Sequence, residues 1–284
     1  VQPVNYAALL ADTNSVTAGN QNFLASIGGL AAAGANSIDY DQDPTGKADK
    51  LTYLSPILNG FQGALTYSPD TDASDDLEGV GNDAATAAFG ESYEAAIRYE
   101  GNFNNVGVIL GAGYSFQDLE RSTYTLGRLG AAGLPTGETA SAVADATADR
   151  VVFNVGADFD IGPFGIGAAY VEDNAGEVVM VIPVNGGNPV NAVTGSDEET
   201  FVVGADYTTG PFKLGASYFD QENTYGITGY DTERYSGGVV YTYGPGMTFR
   251  GSVGYVEHDM ASVVGNPTTN ADATYLTLGT QINF

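Results

Sequence analysis

Apolar and polar residues alternate along most of the chain beyond residue 90. Within residues 151–159, Phe153 and Phe159 fall on one side of an extended backbone, and Asn154 and Asp158 fall on the other. Three further stretches alternate in the same way: 93–99, 212–218 and 247–255. A period of two is that of a β-strand and not that of a helix.

This alternation, bounded by Gly, Pro and Asn, predicts eleven strands. In chain order they are 50–55, 61–68, 91–100, 105–117, 150–160, 163–172, 199–208, 211–220, 234–243, 246–257 and 273–284. The connections alternate between short and long, and the long ones are 69–90, 118–149, 173–198, 221–233 and 258–272. Short turns at one end and long polar loops at the other are typical of antiparallel strands in an outer-membrane barrel.

The chain contains an internal repeat with a period of 48 residues. Residues 153–173 (FNVGADFDIGPFGIGAAYVED) match residues 201–221 (FVVGADYTTGPFKLGASYFDQ) at eleven of twenty-one positions, and 93–116 and 235–258 are looser copies. Each copy has the form of strand, tight turn, strand. The repeat unit is therefore predicted to be a β-hairpin.

The apolar side of these hairpins carries aromatic residues next to the turns. Phe159 and Phe164 flank one turn, Tyr207 and Phe212 flank another, and the opposite side is polar, charged or glycine. A soluble sandwich would cover the apolar side with a second sheet. Strands that face lipid on one side and water on the other explain both the aromatic girdle and the charges in mid-strand.

Composition narrows the classes of function. With 9 basic and 35 acidic side chains the net charge is −26, which makes nucleic acid an unfavourable partner. The absence of Cys excludes disulfides, Cys-ligated zinc and thiol catalysis. The one histidine, His258, is predicted to lie in a loop and has no motif around it that suggests an enzyme. No stretch approaches the roughly 18 apolar residues of a membrane helix.

Three stretches carry a resemblance to a known family: ADKLTYLSPILNGFQGALTYSPD (48–70), the VGADY and GPFKLGASY hairpin (203–218), and the C-terminal TYLTLGTQINF. They resemble the Gram-negative general porins, especially the alphaproteobacterial branch. The resemblance covers about 49–284. It implies an all-β fold, a transmembrane antiparallel barrel of sixteen strands, assembled as a homotrimer in the bacterial outer membrane, with lipid and lipopolysaccharide around it. It also implies that Phe284 belongs to the signal read by the barrel-assembly machinery.

Eleven strands are fewer than sixteen, and bacterial single-chain barrels have an even number. Counting back from 273–284 as the last strand, 50–55 becomes the sixth strand. Residues 1–48 then correspond to the loop that folds into the pore as its constriction, and 49–284 to the eleven C-terminal strands. The chain is thus expected to be a fragment, with five N-terminal strands elsewhere, for example on another chain. A small N-terminal helical domain is the alternative for 1–48.

Candidate pore residues follow from the resemblance and from strand parity. The constriction candidates are Asp12, Asp39, Asp41, Asp43, Arg98 and Arg250, and the lumen-facing charges are Lys50, Glu94, Asp158, Asp206 and Lys213. Opposed acidic and basic groups would produce a transverse field across the pore. The acidic excess favours a preference for cations. Each of these charges could instead be a solvated side chain away from the constriction.

A cluster of acids in 69–78, namely Asp70, Asp72, Asp75 and Asp76, offers the oxygen ligands that calcium prefers, although its spacing does not fit an EF-hand. A solvated surface loop is the favoured explanation of this cluster, and no other cofactor is indicated. The expected function is passive diffusion of ions and small hydrophilic solutes. The alternatives are a solute-specific channel on the same barrel, and a secreted acidic β-protein acting as an adhesin or lectin.

Overall fold

A computed structural model of the 284-residue chain describes residues 44–45, 48–71, 89–119, 123–128, 141–146, 148–174, 178–182, 190–193, 196–225, 228–260 and 269–282. All the regular elements in these ranges are β-strands. No helix in the described ranges is long and apolar enough to span a membrane.

Within these ranges, fifteen strands form two antiparallel sheets. In chain order they are β1 (Leu51–Leu54), β2 (Phe61–Ser68), β3 (Phe89–Phe103), β4 (Val106–Leu119), β5 (Thr123–Arg128), β6 (Ser141–Ala146), β7 (Arg150–Ile161), β8 (Phe164–Asp173), β9 (Val178–Ile182), β10 (Val190–Val193), β11 (Ser196–Thr209), β12 (Phe212–Tyr225), β13 (Thr228–Gly244), β14 (Met247–Met260) and β15 (Thr269–Ile282). The large sheet has the order β1-β2-β3-β4-β7-β8-β11-β12-β13-β14-β15, and the small one the order β10-β9-β6-β5.

The large sheet contains the eleven predicted strands in the predicted order. Each strand pairs with the next of these eleven along the chain, so the sheet is a continuous meander. Several strands are longer than predicted. The chain was expected to form a loop over 221–233, whereas β12 continues to Tyr225 and β13 begins at Thr228. The ladder continues there because backbone hydrogen bonds hold strands together after the apolar alternation has ended.

Two of the predicted loops contain strands. The connection 118–149 carries β5 and β6, and the connection 173–198 carries β9 and β10. These four short strands pair with one another through the contact between β6 and β9, for example Ala144 with Met180. All four are only four to six residues long, β9 (VVMVI) is apolar without interruption, and none shows the aromatic alternation of the large sheet. The prediction therefore did not separate them from irregular loop.

Tight turns join the hairpins at one end of the large sheet, which we call the turn end; the other is the loop end. The turn after β3 consists of Asn104 and Asn105, both with positive φ. The turns after β7 and β11 are Gly-Pro pairs in which Gly162 and Gly210 have φ of 61° and 55°. Glycine at the first turn position with positive φ is the arrangement of type II′ hairpins, whose twist matches that of the strands.

The large sheet has two chemically different faces. In β7, Phe153, Val155 and Phe159 are exposed on the apolar face, and Asn154 and Asp158 are buried on the opposite, polar face. The register carries this division across the sheet, because Asp158 lies opposite Gly167 and Phe159 lies opposite Ile166. The apolar face exposes large side chains on every strand.

Aromatic residues form two rows on the apolar face. Every strand of the large sheet except β1, β4 and β15 carries two aromatic residues six positions apart, as in Phe61 and Tyr67 (67 − 61 = 6), which is about 20 Å along a strand. The pairs are Phe61/Tyr67, Tyr93/Tyr99, Phe153/Phe159, Phe164/Tyr170, Phe201/Tyr207, Phe212/Tyr218, Tyr235/Tyr241 and Phe249/Tyr255. Ring centroids of opposite residues lie close together, at 4.7 Å for Phe61 and Tyr99 and 5.0 Å for Tyr218 and Tyr235. Aliphatic and small residues lie between the rows.

The positive φ of Gly210 gives a testable prediction. We expect Gly210→Ala to lower the free energy of unfolding by about 1 kcal/mol, because an L-residue is strained in the left-handed region. No atom lies within 4 Å of the added Cβ, so the cost is conformational and not steric. Urea titration of the lipid-inserted protein measures it.

Gly237→Ala is the matched control, since Gly237 is in β13, does not have positive φ, and leaves the added Cβ at 3.7 Å from the Gly215 carbonyl oxygen. An equal loss of stability in both variants would contradict the explanation.

Candidate functional site

The polar face of the large sheet carries the basic residues of these strands. The strand register and the alternation of side chains place these basic residues on the polar face, next to acidic residues of the neighbouring strands. The basic residues are Lys50, Arg98, Arg150, Lys213, Arg234 and Arg250, and the acidic ones are Glu94, Glu100, Asp158, Asp160, Asp173, Glu198 and Asp206. The two signs are nearly balanced on this face.

Several of these charges are paired. The Arg150 guanidinium donates from Nε to both carboxylate oxygens of Asp173, at 3.0 and 3.1 Å. Lys213 Nζ lies 3.0 Å from Asp206 Oδ2. Arg98 forms an ion pair with Glu100, two positions along β3. Such pairs fix the direction of long side chains and leave little net charge on that part of the face.

The described residues Pro44, Thr45 and Lys50, which precede β1, contact the polar face. Lys50 Nζ donates to Thr45 Oγ1 at 2.6 Å, and Thr45 Oγ1 donates to Glu94 Oε1 at 2.9 Å. Gln117 Nε2 on β4 donates to the Pro44 carbonyl oxygen at 3.1 Å. Thr45 is 3 % exposed. Residues 44–45 are thus held against β3 and β4 in the halves of these strands nearer the loop end. The side chains that hold them are those of Lys50, Glu94 and Gln117.

The two basic constriction candidates lie on the polar face but far apart in the strand order. Arg98 is on β3 and Arg250 is on β14. Arg250 donates to Gln281 of β15. The four acidic constriction candidates, Asp12, Asp39, Asp41 and Asp43, lie outside the described residues, as does Phe284. Whether acids and bases face each other across a constriction therefore stays a prediction.

A buried cluster near the loop end was not singled out by the sequence. The Arg234 guanidinium lies 5.3 Å from the ring centroid of Phe219, and both side chains are almost fully buried on the polar face. His258, which the sequence placed in a loop, lies within β14 and its Nδ1 is 2.6 Å from Thr232 Oγ1. β14 continues beyond the last residues that alternate between apolar and polar. His258 is therefore recognised as a strand residue only from the backbone pairing of β14 with β13.

Acidic residues follow the aromatic row at the loop end. On the apolar side, beyond Tyr170, Tyr218, Tyr235 and Tyr255, lie the residues of what we call the acidic belt: Glu172, Glu199, Asp220, Glu222, Asp231, Glu233, Glu257, Asp259 and Asp272. Many of them lie directly opposite one another, as Glu222 and Asp231 do. Like charges in opposite positions destabilise a sheet.

Tyrosine hydroxyls at this end donate to carboxylates two positions further along. Tyr235 donates to Glu233 at 2.9 Å and Tyr218 donates to the same carboxylate at 3.3 Å. Tyr67 and Tyr93 share Glu91 in the same way, at 3.1 and 2.9 Å. The hydrogen bonds join the aromatic row to the first acids beyond it.

Of the predicted calcium ligands only Asp70 is described, and no group of three or more acidic or His side chains in the described ranges could hold a metal ion.

The comparisons with known proteins identify the family. The family model for Gram-negative porins matches residues 5–189 and again 129–281, which together cover most of the chain. A search of curated proteins found no match. The chain belongs to the Gram-negative porin family. It is a bacterial outer-membrane protein with the fold of a transmembrane antiparallel β-barrel, and its family is not one of enzymes.

Solved structures with a similar fold include OmpT of Vibrio cholerae in its trimer form, which is 16 % identical with a TM-score of 0.47 over 82 % of this chain and 64 % of that one. OmpF of Salmonella typhi in complex with daunomycin is 14 % identical, with a TM-score of 0.42 over 81 % and 61 %. An anion-selective porin from Comamonas acidovorans is 12 % identical, with a TM-score of 0.45 over 82 % and 57 %. The chain spans less than two thirds of the length of these structures.

The acidic belt gives a prediction about pH. Burial raises the pKa of Asp231 to about 6, and repulsion by Asp220, Glu222, Glu233 and Asp259 adds to the effect. Asp231 lies four positions beyond Tyr235, outside the band between the aromatic rows. The folded protein therefore binds this proton more tightly than the unfolded chain does, and stability rises as the pH falls from about 6 towards 3.8.

We expect the thermal unfolding midpoint to be higher at pH 5 than at pH 7. Asp231→Asn should raise the midpoint at pH 7 and reduce the difference between the two pH values. Asp118→Asn, which removes an outward acid on β4 away from the belt, should leave the pH dependence unchanged. A lower midpoint for Asp231→Asn at pH 7 would show that the carboxylate is stabilising there.

Proposed function

We propose that the protein forms a water-filled channel for passive diffusion of ions and small hydrophilic solutes across the outer membrane. The observation that carries the proposal is the division of one sheet into two faces. The basic residues of its strands lie on the polar face, and the opposite face is aromatic and aliphatic between two rows of rings. Closed by further strands, such a sheet encloses a polar lumen and turns its apolar face to lipid.

A preference for cations fits the overall charge. The wall charges of the described strands are nearly balanced, so the preference would come from the acids at the loop end and from Asp12, Asp39, Asp41 and Asp43. Acids outside the pore contribute less, because salt screens their field over about 8–10 Å. The preference should therefore be strongest at low salt.

Residues 1–48 are proposed to narrow the pore. The support is the anchoring of Thr45 to Glu94 and Lys50, and of Pro44 to Gln117, all on the polar face. The strands that would complete a sixteen-stranded barrel are proposed to lie in another part of the polypeptide or on another chain. A homotrimer surrounded by lipid and lipopolysaccharide, inserted by the barrel-assembly machinery through Phe284, completes the proposal.

A solute-specific channel is the second candidate on the same fold, and a saturable block of conductance by one solute would favour it. The secreted adhesin or lectin is not retained, because the chain belongs to an outer-membrane family.

Planar-bilayer recording tests the channel. The purified protein should give stepwise conductance in KCl. In a KCl gradient the reversal potential should have the sign for cation permeation, and its magnitude should decrease as salt is raised. Failure to conduct would contradict the channel, whereas conductance with an anion-selective potential would contradict only the cation preference.

The anchoring of the segment before β1 gives a second test. Thr45→Val removes the hydroxyl that links Lys50 to Glu94 and should loosen the segment, so we expect a higher mean single-channel conductance. Thr52→Val is the matched control: it removes a hydroxyl on the same wall whose hydrogen bond, 3.0 Å between Thr52 Oγ1 and Thr66 Oγ1, does not involve Thr45. Equal conductance of the two variants would show that the segment does not narrow the pore.

A further inference from the structure

The 48-residue repeat places two aspartates in equivalent positions on the polar face. Asp158 and Asp206 are related by the repeat (158 + 48 = 206). In each hairpin the aspartate lies opposite a glycine of the return strand, Gly167 for Asp158 and Gly215 for Asp206. The two hairpins are also neighbours in the sheet, through the pairing of β8 with β11.

The copies differ in the basic residue that accompanies the aspartate. In the second hairpin Lys213 Nζ lies 3.0 Å from Asp206 Oδ2. The equivalent position in the first hairpin is Gly165 (213 − 48 = 165). Asp158 is 2 % exposed, and in the part of the chain that the structure describes no hydrogen bond and no ion pair within 4 Å joins its carboxylate to another residue. One copy thus has a carboxylate in direct contact with a lysine, and the other does not.

Asp206 leans towards the first hairpin. Its Oδ2 lies 2.6 Å from the point that a Cβ on Gly165 would occupy, so the carboxylate lies over Gly165 on β8, the strand next to Asp158. Asp158 is repelled by Asp160 and Asp206 and attracted by Lys213. The balance around Asp158 is negative. Asp160, which is exposed, lies two positions along β7 on the same face and opposite Gly165.

A buried carboxylate without a partner is unfavourable, and a cation brought next to it offsets that cost. We propose that Asp158 and Asp206, on the two strands next to β8, together bind the ammonium group of a permeating amine over Gly165, in the place where the second hairpin carries its own lysine. The bound ammonium would donate to Asp158 as Lys213 does to Asp206. The inference rests on the proposed channel function, because the pore brings solutes to the polar face.

An ammonium fits this site better than a metal ion. No three carboxylates of the described residues converge closely enough to hold a metal. An ammonium has three N–H donors and is satisfied by one or two carboxylates in charge-assisted hydrogen bonds. The low exposure of Asp158 restricts the site to a narrow head group on an alkyl stem.

The test uses n-butylammonium as the probe and the conducting protein in planar bilayers. We expect n-butylammonium to reduce the KCl conductance in a saturable manner. Tetramethylammonium, which has no N–H, should not do so at the same concentration. Asp158→Asn should weaken the effect by roughly tenfold or more, the loss expected when one hydrogen bond to a charged group is removed.

Gly165→Lys should also abolish the block while KCl conductance persists, because it supplies a tethered ammonium at the position that the repeat assigns to lysine. The added Cβ meets only the end of the Asp206 side chain, which can rotate away. Asp118→Asn, on the apolar face, is the control for loss of one negative charge and should behave as the wild type. Equal block of the wild type and Asp158→Asn, or equal block by tetramethylammonium, would overturn the inference.

Saturation-transfer NMR of n-butylammonium with the detergent-solubilised protein gives a readout that does not depend on conduction. Loss of the signal in Asp158→Asn supports the site, and an unchanged signal overturns it. A protein that conducts KCl normally but binds no n-butylammonium would contradict the ammonium site alone. A protein that never conducts would contradict the channel, and the NMR measurement would still decide the site.

Discussion

The backbone hydrogen-bond ladder is the interaction on which the rest of this molecule depends. In hydrocarbon each unpaired N–H or C=O costs several kcal/mol, so the strands must satisfy one another across the whole membrane. The ladder from β2 to β15 runs without a register shift through the band between the aromatic rows. The two irregularities of the large sheet, between Phe89 and Ser92 and between Thr242 and Gly244, lie just outside that band.

A fixed register separates the two kinds of chemistry that the protein needs. Because alternate side chains point to opposite faces, a shift by one residue would exchange the rings of the apolar face for the charges of the polar face. Across the sheet, the basic side chains therefore lie on the polar face, and acids reach the outer side only beyond the row that contains Tyr218 and Tyr235. The tyrosine hydroxyls at that row bind the first of these acids, so that the boundary between lipid and water is built from hydrogen-bonded pairs.

Much of this could be predicted from the alternation alone. The eleven strands, their order and the placement of Asp158, Asp206 and Lys213 on one face follow from a period of two and from turn residues. Three features could not be predicted in this way. The ends of β12 and β13, with His258 beside them on β14, are polar on both faces and are held by the backbone. The short strands β5, β6, β9 and β10 lack aromatic alternation. The contact of Thr45 with Glu94 joins positions 49 residues apart, which no local pattern records.

The six-position spacing of the aromatic pairs allows hairpins to be added to the sheet by duplication. Each hairpin of the 48-residue repeat, β7–β8 and β11–β12, carries its own tight turn, its own two rings on every strand and its own stretch of polar wall. A copy of one hairpin inserted beside the original therefore meets the membrane at the same depth without any other change in the chain. Duplication then widens the enclosed space and leaves the thickness unaltered. Afterwards the copies are free to diverge on the inner side only, as Gly165 and Lys213 have done.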